Sequence, residues 1–429
     1  MILFISLFVL ILLCDDVLTL SYTISIYLIL HSITTTIKYR RISYITICNL
    51  SFLYIVSSEI FLTNSFLSSA TNGLLTVKYV FCTIVFLNLG FSIPFNASSK
   101  KNKKLDLTNK NITSIFKIFS LVSLLYFVLY FPQALESFRL GRLNAMKETY
   151  GQANLLVTII GNIPNCLVLI SLYLYLKFPN AEIKKYLVVI FLLCVTPQIL
   201  WGTRYPLLFS IVAPVILFIN VKKLPLKYYS YILLLVIILG GGVNYIKSSR
   251  DNISNEDTVN VNITEKIASF GSYEGVVNGT VHIFDYLDKN SLLYGEASAF
   301  PLYFWVPRTI WETKPAQLSY WFVRTYSHGF SDLHSAAYGY WGELLIDFGY
   351  LSIFIIFIFG YILKIIYSKF LLLLYNKPLK IILYFLMYPF LFITIRSPQT
   401  AIISMCSIYV VYYVCKWIIL KYTTKFNKY

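Results

Sequence analysis

Apolar runs of bilayer length recur from one end of this chain to the other, and that repetition limits the fold more than any other feature. About 20 apolar residues carry an α-helix across the hydrocarbon core, whereas a membrane β-strand shows roughly ten residues of alternating character. Inside hydrocarbon every backbone N–H and C=O must be bonded within the chain, which a helix achieves by itself. Only 13% of the 429 residues are charged, against roughly 25% in soluble domains. The expectation is an all-α polytopic membrane protein forming a single membrane domain over 1–429. The runs place helices at 2–13, 17–37, 44–62, 73–95, 112–131, 153–176, 186–200, 204–219, 228–246, 346–364, 381–395 and 401–420, about twelve spans if the short first run is counted.

The formal net charge is +17. Its distribution points to topology rather than to nucleic acid: the Lys residues cluster in short runs between apolar segments, as the positive-inside rule requires. With both termini cytoplasmic, the runs Lys38–Arg41, Lys100–Lys110, Lys177–Lys185, Lys222–Lys227 and Lys364–Lys380 fall on one side, joined there by the acids Asp106 and Glu182. The seven Cys all lie in apolar segments without CxxC spacing, so neither a disulfide framework nor a zinc site is indicated. Residues 1–13 lack a basic leading segment and a small-residue cleavage site, and are expected to be a retained first helix.

The opposite face receives short loops and one long one, 247–345. A loop of that length is usually functional. Within it Val277, Val281, Phe284 and Leu287 fall on one stripe of a helix, an amphipathic segment expected to lie on the membrane surface or on the bundle.

Arg and Lys separate by side. Of nine Arg, only Arg40 and Arg41 fall in cytoplasmic runs; Arg139, Arg142, Arg204, Arg250, Arg308, Arg324 and Arg396 face outward. A guanidinium is a planar, permanently charged fork suited to bidentate phosphate binding. Arg204 and Arg396 sit at the outer mouths of helices, and Arg250 opens the long loop beside Lys247. Together they would form a cationic ring at headgroup level, suited to a lipid-linked anion. The competing possibility is pairing with the loop acids. No P-loop, dinucleotide-binding fingerprint, zinc-protease or nucleophile-elbow motif is present, which disfavours nucleotide-driven chemistry. An outward enzyme would then need a donor that is already activated, such as a polyprenyl pyrophosphate sugar.

The stretch from Phe300 to Tyr350 concentrates polar and aromatic residues in an otherwise apolar chain. Trp201-Gly202-Thr203-Arg204, Arg250, the run Val306-Pro307-Arg308-Thr309-Ile310-Trp311-Glu312-Thr313-Lys314-Pro315, and Tyr338-Gly339-Tyr340-Trp341-Gly342-Glu343 through Asp347-Phe348-Gly349 resemble the bacterial O-antigen polymerase (Wzy) family of oligosaccharide repeat-unit polymerases. Where that family often carries Pro after the motif's Trp, this chain has Glu312.

The resemblance implies a GT-C-like membrane glycosyltransferase in the bacterial cytoplasmic membrane, with its active site facing outward and no cofactor or metal. It would transfer a glycan from undecaprenyl pyrophosphate to the non-reducing end of an incoming lipid-linked unit, for O-antigen or capsule. A flippase and a chain-length regulator would be its partners, with membrane lipid. Arg204, Arg250 and Arg308 would bind the donor pyrophosphate, with Lys314 and Arg396 as second choices. His334, or else His328, Glu343 or Asp347, would accept or position the acceptor proton. Trp305, Trp311, Tyr338 and Trp341 would stack on sugar rings. Glu343 and Asp347, at i and i+4, share a helix face, expected at the start of the helix over 346–364. His31 and His282 are expected to be structural. The rival readings are an O-antigen ligase and, from another class, a lipid-linked oligosaccharide flippase. A flippase would keep its loops short and line a central cavity with charge.

Overall fold

A computed structural model describes residues 2–95, 109–140, 159–201, 208–222, 275–307, 309–326, 337–376 and 379–424. Every regular element among the described residues is helical. In chain order they are α1 (Ile2–Leu13), α2 (Val17–Tyr39), α3 (Tyr44–Leu62, with a π-turn at Leu53–Ser57), α4 (Asn64–Ser69), α5 (Gly73–Ser92), α6 (Asn109–Leu140) and α7 (Ile163–Lys177). There follow α8 (Ala181–Trp201), α9 (Ala213–Lys222), α10 (Val276–Leu287), α11 (Leu318–Tyr326), α12 (Gly339–Phe348), α13 (Ser352–Asn376), α14 (Ile381–Arg396) and α15 (Pro398–Thr424). Among the described residues, eight segments are long and apolar enough to cross a membrane: those of α2, α3, α5, α6, α7, α8, α12 with α13, and α15. The helices at Ser210–Lys222 and Ile381–Arg396 are apolar but shorter. The chain is thus a helical, polytopic membrane protein; the helix expected at 228–246 lies outside the described residues.

Several boundaries differ from the sequence expectation, each for a physical reason. The helix expected to end at residue 131 continues through Pro132 to Leu140. Proline removes one donor and clashes with one carbonyl, but in an apolar setting the remaining backbone groups still need partners, and continuing the helix supplies them. Pro197 and Pro389 are carried inside α8 and α14 in the same way. The helix expected to end at Lys364 runs on to Asn376. There the Lys364 ammonium donates to the Tyr39 hydroxyl at 2.6 Å and lies over the rings of Tyr39 and Phe91 at 4.9 and 5.4 Å. A cation so placed has no need of a loop. At the other end, α12 is a separate helix, parted from α13 by Gly349 at φ +57° and a single 3-10 turn.

Two compact units make up the chain. The first comprises Met1–Ser98, Val259–Lys369 and Leu391–Ile402. Its centre is α5, whose Val77, Val80, Phe81, Ile84, Leu87 and Phe91 are all buried. Gly90 of α5 lies on the main chain of Phe357 in α13, and Gly360 of α13 lies on the main chain of Leu87. Each glycine leaves room for the other helix's backbone, the usual device for close helix contact in lipid. A polar ladder crosses the same unit: Asn88 donates to Asn49 at 3.0 Å, and the Asn49 amide reaches His31 Nδ1 at 3.1 Å. His31 therefore serves a contact between helices, as expected of it.

The second unit comprises Ser99–Thr258, Phe370–Phe390 and Ile403–Tyr429. There α6 packs on α8, with Cys194 Sγ donating to Ser123 Oγ at 3.4 Å. Asn165 of α7 accepts from Gln198 at 3.3 Å and from Ser210 at 3.0 Å. Phe370 packs edge-on against Phe385 and Tyr388.

The amphipathic segment within the long loop is α10, and it packs on α5 and α12 in the first unit. The residue at its N-cap is Gly275, at φ +64°, which has no side chain to cap the helix. Glu59, fully buried near the end of α3, takes that role from a distance. Its carboxylate accepts from the N–H groups of Val276 (2.8 Å), Val277 (2.9 Å) and Asn278 (3.0 Å). Three otherwise orphaned donors and the positive end of the helix dipole are met by one anion.

Removing the Glu59 carboxylate leaves buried donors unsatisfied, a cost of about 2–4 kcal/mol. Glu59→Ala is expected to lower the apparent melting temperature of the detergent-solubilised chain, and Glu59→Gln, which keeps one acceptor oxygen, to lower it less. Wild-type melting of Glu59→Ala would refute the capping role.

Candidate functional site

The polar constellation of the first unit is built on α12. Glu343 and Asp347 are one helical turn apart, on the same face, and both are buried. Burying a carboxylate requires donors, and here the main chain supplies them. Asp347 accepts from the N–H of Ala297 at 3.1 Å and of Ser298 at 2.7 Å. Gly295, at φ +100°, turns the chain just before these two donors. The Glu343 carboxyl lies near the main-chain N–H of Gln399. The Gln399 side chain donates to the Ala297 carbonyl at 2.6 Å. Ser397 Oγ donates to Thr400 Oγ1 at 3.0 Å, and Gln317 Nε2 reaches the same oxygen at 3.4 Å. Three stretches distant in sequence, 295–298, 343–347 and 397–400, are thus joined around two carboxylates. Tyr303, whose hydroxyl donates to the Glu296 carbonyl at 3.2 Å, stands beside them. Partial burial first, then the carboxylates of Glu296 and Asp347, raise its phenol above the ordinary tyrosine value, so it remains a neutral donor.

The other proposed residues are placed as follows. Lys314 donates to the carbonyls of Phe304 (3.2 Å) and Val306 (2.9 Å) and lies over the Phe304 ring at 5.9 Å. It clasps the 304–314 turn. Arg396 is the last residue of α14, directly before the 397–400 turn that lies near Glu343 and bonds Ala297. Trp311 is exposed; its indole N–H donates to Thr313 at 3.1 Å and its ring meets Tyr303 edge-on at 5.4 Å. Trp305 is half-buried against Phe304. Arg204, Arg250, Arg308, His328 and His334 lie outside the described residues.

Two assignments are corrected. Trp341 has no exposed surface; its indole N–H donates to Thr280 at 3.1 Å, its ring packs on Phe52 and Tyr340, and its carbonyl accepts from Tyr79. Tyr338 is also buried, against Phe322 and the open backbone of Gly279. Neither ring offers a face to a sugar. Both hold α12 to α10. The structural reading of His282 stands: it is an exposed residue of α10 whose Nδ1 lies 3.8 Å from Asp285.

Glu59 is the residue whose role sequence reasoning missed. An acid inside an apolar run was the available signal, but its partners are backbone groups more than 200 residues away. Among the described residues, no three of His, Cys, Asp or Glu come together as a metal site would require. Comparison with protein-family models, with curated proteins and with solved structures finds no match to this chain.

The two main-chain bonds to Asp347 are charge-assisted, each contributing about 1.5–3 kcal/mol. Asp347→Ala is expected to speed amide exchange in a peptide spanning residues 293–304 by on the order of 30-fold or more, read by hydrogen–deuterium exchange mass spectrometry. Unaltered exchange would mean that the carboxylate does not hold this loop.

Proposed function

We propose that this chain polymerises lipid-linked oligosaccharide units for a bacterial surface polysaccharide, on the outer side of the cytoplasmic membrane. The reading is supported by one observation above others: the described residues between 275 and 350 do not trail as a connection but include helices packed on apolar spans, fastened by buried carboxylates. A segment held this firmly is suited to positioning reacting groups, which is where binding energy becomes rate. The motif pattern around Arg204, Arg308 to Lys314 and Gly342 to Gly349 supplies the reaction class.

In the proposed reaction an acceptor hydroxyl attacks the anomeric carbon of the donor glycan. The bond from that carbon to pyrophosphate breaks, and undecaprenyl pyrophosphate leaves with the electron pair. Arg204, Arg250 and Arg308 stabilise the charge developing on the leaving group, each by roughly 2–4 kcal/mol in a water-poor site. Arg396 assists from the end of α14. His334 takes the hydroxyl proton. Asp347, with both oxygens on main-chain N–H groups and no exposed surface, acts as a positioning residue and not as the base. Glu343, buried on the same face of α12, shares that part. Trp311, the exposed ring beside Tyr303, is the better placed of the two remaining stacking candidates, Trp305 and Trp311.

The test is chain length in cells. Arg204→Ala and Arg308→Ala should each replace long surface polymer by single-unit glycan, with a loss on the order of 100-fold in polymer for a removed charge-stabilising donor. Normal chain length at normal protein level in both variants would overturn the pyrophosphate role.

A further inference from the structure

A cleft of about 440 Å³ opens in the first unit between the C-terminal end of α10, the 288–294 turn and the junction of α12 with α13. It falls within the roughly 300–1,000 Å³ range of small-ligand sites. Leu287, Asp288, Asn290, Ser291, Tyr294 and Tyr350 are among its lining residues. We propose that this cleft is a subsite for an uncharged sugar residue, an inference that rests on the glycan-transferring reading above and adds a location to it.

The chemistry of the lining carries the argument. A sugar presents hydroxyls at its edge and a C–H face above and below the ring, so its site needs compact acceptors and donors beside an aromatic ring. Asp288 accepts the Asn72 amide at 2.9 Å through Oδ2, and Asn290 donates to the Tyr286 carbonyl at 2.9 Å. Asp288 Oδ1, Asn290 Oδ1 and the Ser291 hydroxyl make no hydrogen bond among the described residues. These two fixed side chains therefore turn open acceptors to the cleft edge. Among the described residues no Lys, Arg or His lines the cleft, while one carboxylate does. A phosphate would be repelled there, so the ligand class differs from that proposed for the arginines.

Tyr294 sharpens the case. Its backbone is left-handed, at φ +50°, and its side chain is 78% exposed. Gly or Asn would relax that backbone, and a ring so exposed contributes nothing to the core. Non-glycine residues held in this region concentrate at ligand sites. Tyr350 adds a second exposed ring just before α13, where Leu351 and Phe354 are exposed as well. The cleft thus lies at the head of an apolar span, the level at which a lipid-linked sugar would be presented.

The test uses the full-length chain in nanodiscs, with glucose, galactose and N-acetylglucosamine as probes in saturation-transfer difference NMR. Two variants are compared with wild type: Tyr294→Asn, which removes the ring and suits the left-handed backbone, and Asp288→Asn, which removes the charge and keeps an acceptor for Asn72. Both positions are exposed, so wild-type melting is expected; if one variant melts early, the other decides. Transfer to at least one sugar in wild type, falling about threefold or more in the variants, is the expected result. No transfer in wild type, or equal transfer in the variants, would overturn the subsite. Because this readout does not depend on polymer, it separates from the chain-length assay. Tyr294-dependent transfer with unchanged chain length in both Arg204→Ala and Arg308→Ala keeps the subsite and removes the pyrophosphate role. Shortened chains without such transfer do the reverse.

Discussion

The interaction on which the first unit depends is the contact between Glu59 and the start of α10. A carboxylate buried at the end of an apolar span carries a desolvation cost of several kcal/mol unless it is fully bonded. Three main-chain N–H groups at 2.8–3.0 Å meet that requirement, and the helix dipole adds to it. The bond is mutual in its effect. Gly275 gives α10 no cap of its own, so the helix start and the buried anion satisfy each other. Once α10 is fixed, the described residues that follow are built on it in sequence. Tyr338 seats on Gly279, Trp341 bonds Thr280, α12 is thereby oriented, and Asp347 then reaches the N–H groups of residues 297 and 298.

The same logic explains which parts of the fold were legible in the amino-acid sequence. Spans could be read because burial in lipid demands long apolar runs, and α10 could be read because its stripe repeats at helical spacing. The stripe proved wider than Val277, Val281, Phe284 and Leu287 alone, taking in Val276, Ile283 and Tyr286, because α10 is covered by α5 on one side and α12 on another. Helix ends were harder. Pro132 and Lys364 are ordinary signals of a loop, yet both sit inside helices. For Pro132 the unmet backbone groups of a broken helix would cost more than one missing donor. For Lys364 a hydroxyl and two rings, contributed by other helices, accept the charge. Neither compensation is visible locally.

The candidate site divides along the same line. Glu343 and Asp347 could be paired from spacing alone, since i and i+4 share a face. The donors to Asp347 could not be found, because an N–H belongs to every residue and only the fold selects Ala297 and Ser298. Aromatic residues carry the opposite ambiguity. Trp311 and Trp341 look alike in sequence, both in a polar, ring-rich stretch, yet one is exposed and the other has no surface at all. What separates them is the glycine opposite Tyr338, which brings α12 against α10 closely enough to bury whatever ring follows.

The carboxylates also bear on the arginines, whose bland reading was pairing with loop acids. Among the described residues of the long loop and α12, three acids have other partners. Asp347 takes main-chain N–H groups, Asp285 and Asp288 take the Asn72 amide, and Asp285 also faces His282. Every one of these donors except the histidine is permanently neutral. Three acids bonded in this way use their negative charge to order backbone and amides. These contacts draw on no arginine, which leaves a role for another partner. Under the proposed reading that is the pyrophosphate of the donor, whose leaving group needs the charge most when the glycosidic bond breaks.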